Sequence, residues 1–246
     1  MSTLVVIPAR YGSTRFEGKP LADILGKPMI VHVWERARAA RTPDHVIVAT
    51  DDERVKDAVE TQGGEAVLTA RDHATGTDRI AEVARATEHE IIINVQGDEP
   101  LLEPGMVDEV AILLRDDPRA DMATLMMPIT SEEEFKNPNV VKVVVDAAGY
   151  ALYFSRASIP YPRVAGVLHP HGHIGIYGYR RDFLLTFTGL APTPLERAES
   201  LEQLRALEHG YRIRVAATRW PYAGVSVDTP DDIEVVRTIL ARATNR

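Results

Sequence analysis

The sequence predicts an α/β fold built on a mostly parallel sheet with helices on both faces. Short apolar runs of the kind that form buried parallel strands cover residues 4–8, 45–50 and 65–69. Segments with apolar residues at helical spacing separate these runs, so the chain begins in a βαβαβ order. Parallel strands joined by right-handed crossovers are the usual result of that order. We therefore predict a Rossmann-like sheet.

The other elements of the first half follow from the same patterns. Residues 90–95 form the most apolar run and are predicted to be a central strand, and residues 122–127 predict a further strand. Predicted helices cover residues 29–40, 51–62, 78–87 and 104–115, the second with an acidic first turn and the last opened by a proline.

The second half predicts an antiparallel addition to this core. A hairpin is predicted from residues 140–146 and 151–155, and residues 173–180 alternate as a strand. Residues 140–145 are nearly all apolar, so an exposed face there would favour a partner subunit. We predict one domain over residues 1–246, with a dimerisation sub-lobe around residues 137–190.

The end of the chain, from residue 193, is predicted to contain two helices and two strands. Thr193 and Glu196 form a capping-box pattern, which predicts a helix from there to His209. Strands are predicted at residues 211–218 and 225–228, and a final helix capped by residues 229–232 runs to Ala243.

Composition narrows the function before any motif is considered. The net charge of −8 argues against general nucleic-acid binding. The absence of cysteine excludes a disulfide framework, an iron–sulfur site and a thiol nucleophile. No apolar run approaches the length of a membrane span, and the first residues form a predicted strand rather than a signal peptide. We therefore expect a cytoplasmic enzyme with no membrane partner.

A polar loop at residues 9–20 follows the first predicted strand, where open α/β sheets bind ligands. Gly12 and Gly18 allow the backbone to bend and to approach a ligand closely. The loop offers N–H groups on Gly12, Ser13 and Thr14, and three cations suited to polyphosphate: Arg10, Arg15 and Lys19. Its glycine spacing matches neither a Walker A loop nor GxGxxG, and a surface loop with scattered charges is the alternative.

Two further stretches place polar residues at strand ends. Residues 71–79 lead into a helix N-terminus with free N–H donors, which favours a nucleotide-facing loop; simple capping by Thr77 or Asp78 is the alternative. Asp98 and Asp228 each follow a predicted strand, where a carboxylate can hold a metal on a phosphate. A turn at Asp98 and helix capping at Asp228 are the alternative roles.

Three histidines, His169, His171 and His173, alternate in sequence and would share a face of one strand, as zinc ligands could. Pro170 disfavours a regular strand there, and the stretch contains no acid as a further ligand. A single polar contact from His173 into a site is the favoured interpretation.

Short motifs are spread over nearly the whole chain. In the first half they are IPARYGSTR at 7–15, GKPL at 18–21, GKPMIVHV at 26–33, DHATGTDR at 72–79 and NVQGDEP at 94–100. In the second half they are NPNVVKVV at 137–144, ALYFSR at 151–156, HIGIYGYR at 173–180, LEQLR at 201–205 and VDTPDD at 227–232. On these motifs the chain resembles the family of 3-deoxy-manno-octulosonate cytidylyltransferases, the CMP-Kdo synthetases. Sialate-activating relatives look different in the first loop.

The resemblance implies a nucleotidyltransferase fold and a reaction. CTP and the keto sugar acid 3-deoxy-D-manno-octulosonate (Kdo) would give CMP-Kdo and pyrophosphate, for lipopolysaccharide synthesis. The resemblance also implies Mg²⁺ as cofactor and a homodimer.

The resemblance also implies the site residues. The triphosphate would be held by Arg10, Ser13, Arg15 and Lys19, and the cytidine surrounded by Arg71, Thr75, Gly76, Thr77 and Asp78. Magnesium would be held by Asp98 and Asp228, which with Arg10 and Lys19 form the implied catalytic set. The sugar pocket would be lined by Gln96, Arg156, His173, Tyr177, Glu202 and Gln203. From the residues alone, the last two fit a solvated surface equally well.

The chain departs from the family pattern in three places. Phe16 and Glu17 stand where Leu-Pro usually precedes the Gly-Lys pair, Ser226 stands where a glycine is usual, and the loop over residues 159–171 is shorter than in some relatives. Glu17 adds a negative charge beside the predicted triphosphate loop.

Other functions stay open at this point. A glycosyltransferase would use a similar sheet and a metal carboxylate, but its usual D-x-D pattern is missing around Asp98. A nucleotide sensor without activity is the other class, and the presence of both Asp98 and Asp228 argues against it. Within the family, another ulosonate such as 8-amino-Kdo is the alternative substrate.

Overall fold

The computed structural model describes residues 1–12, 16–164, 166–167, 169–222 and 224–244 of the chain. The chain divides into two compact units, one formed by residues 1–108 with 220–246 and the other by residues 109–219. The second unit contains the whole predicted sub-lobe and extends beyond it on both sides. Among the described residues, none of the helices has the length and apolar character that crossing a membrane requires.

The first half alternates strands and helices, as the sequence predicts. Its strands are β1 (Thr3–Ala9), β2 (Asp23–Ile24), β3 (Lys27–Pro28), β4 (His45–Thr50), β5 (Glu65–Leu68) and β6 (Ile91–Asn94). Its helices are α1 (Met29–Arg38), α2 (Glu53–Glu60), α3 (Gly76–Arg85) and α4 (Pro104–Asp116). The short β2–β3 hairpin lies where the sequence predicts no element, and its turn uses positive φ at Leu25 and Gly26.

The second half carries the remaining elements. Its strands are β7 (Met122–Pro128), β8 (Lys142–Val145), β9 (Ala151–Ser155), β10 (His171–Arg180) and β11 (Ile213–Ala217). Its helices are α5 (Glu132–Lys136), α6 (Arg181–Phe187), α7 (Pro194–Glu199), α8 (Gln203–Glu208) and α9 (Pro230–Thr244).

In the first unit, β1, β4, β5 and β6 form a parallel sheet in the order β6-β1-β4-β5. Val5 of β1 pairs with Val46 on one side and Ile93 on the other. The side chains of residues 4–7 have no solvent exposure, which explains why β1 is a continuous apolar run. Because these strands run in one direction, the loops that follow β1, β4 and β6 meet at one edge of the sheet.

In the second unit, β7 pairs in parallel with β11 and antiparallel with β10. β10 also pairs antiparallel with β8, and β8 with β9. The predicted β8–β9 hairpin and the antiparallel addition are therefore confirmed, and Gly149 (φ 80°) supplies the left-handed turn residue. β10 begins at His171, two positions before the predicted start and directly after Pro170.

The predicted helix from Thr193 to His209 is wrong in one respect, because it is broken into α7 and α8. Ser200 ends α7 in the left-handed conformation (φ 51°, ψ 49°), which stops helical hydrogen bonding. Leu201 is buried just after the break. The apolar periodicity across the break predicted a helix but carried no signal of the interruption.

Two other expectations are corrected. Residues 225–228 do not form a strand; the Val227 N–H donates to the Asp98 carbonyl (2.9 Å). Helix α3 is capped by Thr75, not by Thr77 or Asp78, since the Asp78 N–H donates to the Thr75 hydroxyl (3.1 Å). The Asp78 carboxylate in turn accepts the Thr75 N–H, which completes a capping box.

Candidate active site

Lys19 lies at the centre of a charged cluster in the first unit. Its Nζ donates to Oδ2 of Asp98 and to the carbonyl oxygen of Val227, both at 2.8 Å, and lies 3.8 Å from Oδ1 of Asp228. Gly18 directs Lys19 here, since it adopts a left-handed conformation (φ 71°) and its N–H donates to the carbonyl of Tyr11 (3.0 Å). The loop after β1 is thereby folded back on itself.

Asp98 reaches this cluster because the loop after β6 packs directly on the end of β1. A Cβ atom added at Gly97 would lie 2.6 Å from the carbonyl oxygen of Pro8, so only glycine permits the approach. The expectation that Asp98 lies close to the first loop is confirmed by its ion pair with Lys19.

Asp228 is held in place by the buried residue before it and the helix after it. Val227 has no solvent exposure and packs in an apolar cluster with Ile233 and Val236 of α9. The carboxylate of Asp232 accepts the N–H groups of Asp228 (2.9 Å) and Thr229 (2.7 Å). Since Asp232 caps the helix, the carboxylate of Asp228 can face Lys19.

A cavity of about 470 Å³ opens beside this cluster. Its lining includes seven of the predicted site residues: Arg10, Lys19, Thr75, Gly76, Gln96, Asp98 and Asp228. The amide of Gln96 is oriented by a bond from Nε2 to Oδ1 of Asn94 (3.1 Å). Loops after β1, β5 and β6 and the segment before α9 thus contribute to one recess, which suits a polyphosphate ligand because cations line it.

Three residues predicted near the cytidine do not line the cavity. Arg71 is exposed, Thr77 is buried, and the carboxylate of Asp78 bonds to Thr75. The predictions for Ser13 and Arg15 lie outside the described residues.

His73 and Arg79 line the cavity but were not predicted as site residues. His73 contacts the carboxylate of Glu82, which also accepts the N–H of Ala70 (3.1 Å). Arg79 is 3% exposed. The signal for both was their place in the DHATGTDR motif, on either side of the α3 N-terminus, since basic residues there can meet an anion.

Glu99 adds a third carboxylate next to Asp98. Its Oε1 accepts the hydroxyl of Tyr222 (3.1 Å), and its Oε2 is buried with no hydrogen-bond partner among the described residues. Burial, and to a lesser extent the charge of Asp98, raises the pKa of Glu99 to about 7.

The donor set around Lys19 fits a hard divalent cation. Asp98 and Asp228 already place carboxylate oxygens within 4 Å of one positive charge, the Lys19 ammonium. Magnesium is commonly held by one or two carboxylates completed by substrate phosphates and water. The unpartnered Oε2 of Glu99 is a further oxygen beside them, on a carboxyl group whose raised pKa favours the neutral form.

The second unit holds the other predicted sugar-pocket residues. His173 Nε2 lies 2.9 Å from the hydroxyl of Thr124, and that hydroxyl donates to the carbonyl of Ile176 (2.7 Å). Because the carbonyls of Ile174 (3.0 Å) and Ile176 both lie in reach of the single hydroxyl proton of Thr124, we assign the imidazole proton to Nε2 of His173 and the acceptor role to Nδ1. The side chain keeps part of its surface accessible, yet burial lowers the pKa of His173 to about 3, so the ring is neutral.

Tyr177 neighbours His173, with ring centroids 5.3 Å apart. Burial first, and then the charge of Glu202, raises the pKa of Tyr177. Gln203 is 4% exposed, and its Nε2 has no hydrogen-bond partner among the residues the structure describes. A buried amide without a partner is costly and marks a place where a ligand oxygen would be stabilising.

Arg156 differs from these residues in that its guanidinium bonds to backbone oxygens. It donates to the carbonyls of Glu199 (2.7 Å) and Pro138 (3.1 Å), and the carboxylate of Glu199 accepts the Arg156 N–H (2.9 Å). In this arrangement Arg156 ties three segments of the second unit together.

Comparisons with known proteins identify the family of this chain. A family model described as cytidylyltransferase matches residues 4–213. Curated 3-deoxy-manno-octulosonate cytidylyltransferases from Syntrophotalea carbinolica and Anaeromyxobacter dehalogenans are 54% and 56% identical, covering 95% and 96% of this chain and 96% and 97% of those proteins. The chain belongs to the 3-deoxy-manno-octulosonate cytidylyltransferase family. A solved structure of CMP:2-keto-3-deoxy-manno-octonic acid synthetase complexed with CTP is 48% identical, with a TM-score of 0.93 over 99% of this chain and 100% of that one.

This member of the cytidylyltransferase family departs from the family pattern at Phe16, Glu17 and Ser226. Phe16 packs against the apolar cluster around Val227, and Glu17 is exposed. The altered pair therefore adds an apolar contact beneath the site and points its extra charge toward solvent. Ser226 is also exposed, and the bond from Val227 to Asp98 next to it is intact.

Proposed function

We propose that this chain transfers CMP from CTP to the anomeric hydroxyl of Kdo and releases pyrophosphate. The observation that carries the proposal is the Lys19–Asp98–Asp228 cluster on the wall of a 470 Å³ cavity, in a chain of this family. The anomeric oxygen forms a bond to the α-phosphorus, the bond from that phosphorus to the pyrophosphate oxygen breaks, and the hydroxyl proton leaves to solvent.

The first unit supplies charge stabilisation for this displacement. Arg10 and Lys19 are positioned to neutralise the triphosphate and the departing pyrophosphate. Lys19 is held rigidly by its two bonds, so its charge needs little reorganisation during the reaction.

Mg²⁺ is the cofactor we propose, with Asp98 and Asp228 as its protein ligands. When bound, it would act as a Lewis acid that draws charge from phosphoryl oxygens. Both carboxylates face Lys19 on the wall of the cavity, which supports their use as ligands.

We propose that His173, Tyr177, Glu202 and Gln203 bind the sugar acid. The Nδ1 acceptor of His173 and the unpartnered amide of Gln203 suit the hydroxyl and carboxylate groups of such a substrate. Another ulosonate, such as 8-amino-Kdo, is the second candidate. Because CTP is the donor, we propose the cytoplasm as the compartment.

A pyrophosphate-release assay tests the activity. The four nucleoside triphosphates are each combined with Kdo, 8-amino-Kdo and sialic acid in the presence of Mg²⁺. We expect a high rate of pyrophosphate release only with the pair CTP and Kdo. Fast release with 8-amino-Kdo but not with Kdo would make 8-amino-Kdo the acceptor substrate. No release with any pair would reject the activity.

We also propose a homodimer formed through β8 and β9. Leu152 of β9 is 62% exposed, and Val144 and Val145 of β8 are only half-buried. An apolar strand pair of this kind is typical of an interface between identical subunits. Light scattering at micromolar concentration should give the mass of two chains, and Leu152→Glu should shift the mass toward one chain, whereas a monomeric wild type would reject the interface.

A further inference from the structure

Arg79 is a buried cation on the wall of the CTP cavity that the proposed chemistry does not use. It lies on α3, one turn after Gly76, and its guanidinium donates through one terminal nitrogen to the hydroxyl of Thr69 and through the other to Oδ2 of Asp51 (3.2 Å). The Thr69 hydroxyl is fixed in turn, since it donates to the carbonyl of Thr50 (3.0 Å).

Asp51 connects this cation to the loop that follows β1. Its Oδ1 accepts the N–H of Tyr11 (3.1 Å) while its Oδ2 accepts from Arg79. One carboxylate thus fixes the beginning of the proposed phosphate loop and the direction of the guanidinium. The side chains of Asp51 and Arg79 are only 15% and 4% exposed, so the geometry is rigid.

The positive charge of Arg79 is balanced by the carboxylate of Asp51. This pairing determines which kind of ligand acceptor Arg79 can bind. Asp51 does not line the cavity, so it stays paired with Arg79 when a ligand enters. Lys19 differs, because both of its carboxylate partners line the cavity and are the proposed metal ligands. The Arg79 guanidinium is planar, and its charge is neutralised by Asp51. It is therefore better suited to directional hydrogen bonds with two neutral acceptors than to binding a polyanion.

The other N–H groups of the Arg79 guanidinium have no hydrogen-bond partner among the residues that the structure describes. Thr75 and Gly76, the cavity residues assigned to the cytidine, lie just before it on the same helix. Cytosine presents two neutral acceptors side by side, O2 and N3. Uracil carries a hydrogen on N3, so a guanidinium N–H of Arg79 would face another donor there and could not form that hydrogen bond.

We propose that Arg79 is a specificity-determining residue that donates to O2 and N3 of the cytosine of CTP, and that Asp51 is the positioning residue that aims it. The inference rests on the proposed use of CTP. In this proposal, the preference for cytosine over uracil comes from Arg79, which Asp51 and Thr69 hold in place, and not from the loop residues 71–78.

Calorimetric titration of the intact protein without metal tests this inference. The ligands are CMP, CTP, UTP and tripolyphosphate, and the variants are Arg79→Lys, Arg79→Met and Asp51→Asn. Arg85→Lys is the matched control, since Arg85 is exposed two turns further along α3. Thermal unfolding of every variant is recorded in parallel.

We expect both Arg79 variants to lose about tenfold to a hundredfold in affinity for CMP and by the same factor for CTP. Affinity for tripolyphosphate should change less than about twofold, because the phosphates do not meet Arg79, and the preference for CTP over UTP should fall at least about tenfold. Asp51→Asn retains an acceptor for Tyr11; it should lower the same preference without weakening tripolyphosphate binding. Arg85→Lys should behave as wild type.

Three results would overturn the inference. An equal loss for tripolyphosphate would make Arg79 a phosphate contact, and an unchanged preference for CTP over UTP would remove it from base selection. Loss of folding in all three variants would assign the pair to stability alone; if only Arg79→Met fails to fold, the other two decide. A wild-type protein that binds UTP as well as CTP would instead count against the proposed function.

Discussion

Single residues carry the chemistry of the first unit, and Lys19 is the most constrained of them. Its ammonium satisfies a carboxylate and a backbone carbonyl at 2.8 Å each. Charge-assisted contacts of this kind to phosphate are worth about 1.5–3 kcal/mol. Lys19→Ala should therefore lower kcat/KM about tenfold to a hundredfold with the fold intact, as steady-state kinetics and circular dichroism would measure.

A matched control for this variant is Lys27→Ala, because Lys27 pairs with Glu35 on the surface and does not line the cavity. It should keep wild-type kinetics. Unchanged kinetics in Lys19→Ala itself would remove the ammonium from the mechanism.

The two aspartates make a second prediction at the residue scale. Asp98→Asn and Asp228→Asn keep the shape of the side chain but lose its charge, so each should lower kcat by about two orders of magnitude or more at saturating Mg²⁺. CTP binding without metal, measured by calorimetry, should stay close to wild type. Asp182→Asn, at a fully exposed position, serves as the control.

Near-wild-type turnover in either aspartate variant would mean that the residue is no essential ligand. The Asp98 carboxylate would then serve only as the ion-pair partner of Lys19. Asp228 would then have only a structural role in the segment before α9.

At the scale of elements, the site depends on how closely the loop after β6 approaches β1. Gly97 has no side chain to hold the Pro8 carbonyl away, and an alanine Cβ would lie 2.6 Å from that oxygen. Gly97→Ala should therefore displace Asp98 from Lys19. We expect kcat/KM to fall at least about tenfold and unfolding free energy to fall by about 1–3 kcal/mol, by the usual cost of overpacking.

Gly175→Ala is the matched control, since a Cβ there meets nothing within 4 Å and its φ is not positive. Both variants can be compared by urea unfolding and by kinetics. An active, stable Gly97→Ala protein would show that the loop can shift without consequence.

The element scale also shows where sequence patterns were insufficient. The helical period across residues 193–209 was real, but the left-handed Ser200 divides the helix. The β-prone residues 225–227 form no strand, since among the residues that the structure describes only Val227 of this segment bonds to the backbone of another segment, at Asp98. Periodicity reports which residues are buried; it does not report where a hydrogen-bond ladder ends.

For the whole molecule, His173 predicts how stability depends on pH. Its pKa in the fold is about 3 against an ordinary value of 6.5, so the unfolded chain binds more protons between these values. The contribution of His173 to the free energy of unfolding is therefore fully present above about pH 6.5. It is lost as the pH drops toward 3, by at most about 1.4 kcal/mol per pH unit.

His173→Gln can still donate to Thr124 but does not titrate. Its unfolding free energy should fall less steeply than that of wild type between pH 6.5 and 4, measured by denaturant titration at several pH values. His169→Gln, at an exposed position, should keep the wild-type slope. Identical slopes in wild type and His173→Gln would mean that His173 is protonated in the fold without penalty.

The sequence by itself determined the parallel sheet, the antiparallel addition and the meeting of Lys19 with Asp98. Strand periodicity and apolar runs are local properties, and parallel strands necessarily bring their carboxyl ends to one edge. The sequence also identified the family, because each family motif is a contiguous run of residues.

Only the tertiary structure decided which polar groups are already paired. It assigned capping to Asp232 rather than Asp228, bound the guanidinium of Arg156 to backbone carbonyls, and joined Arg79 to Asp51. These pairings connect residues on different loops and depend on side-chain rotamers and on distances of a few ångströms. Sequence spacing does not contain that information, because hydrogen bonds form or fail over less than 1 Å.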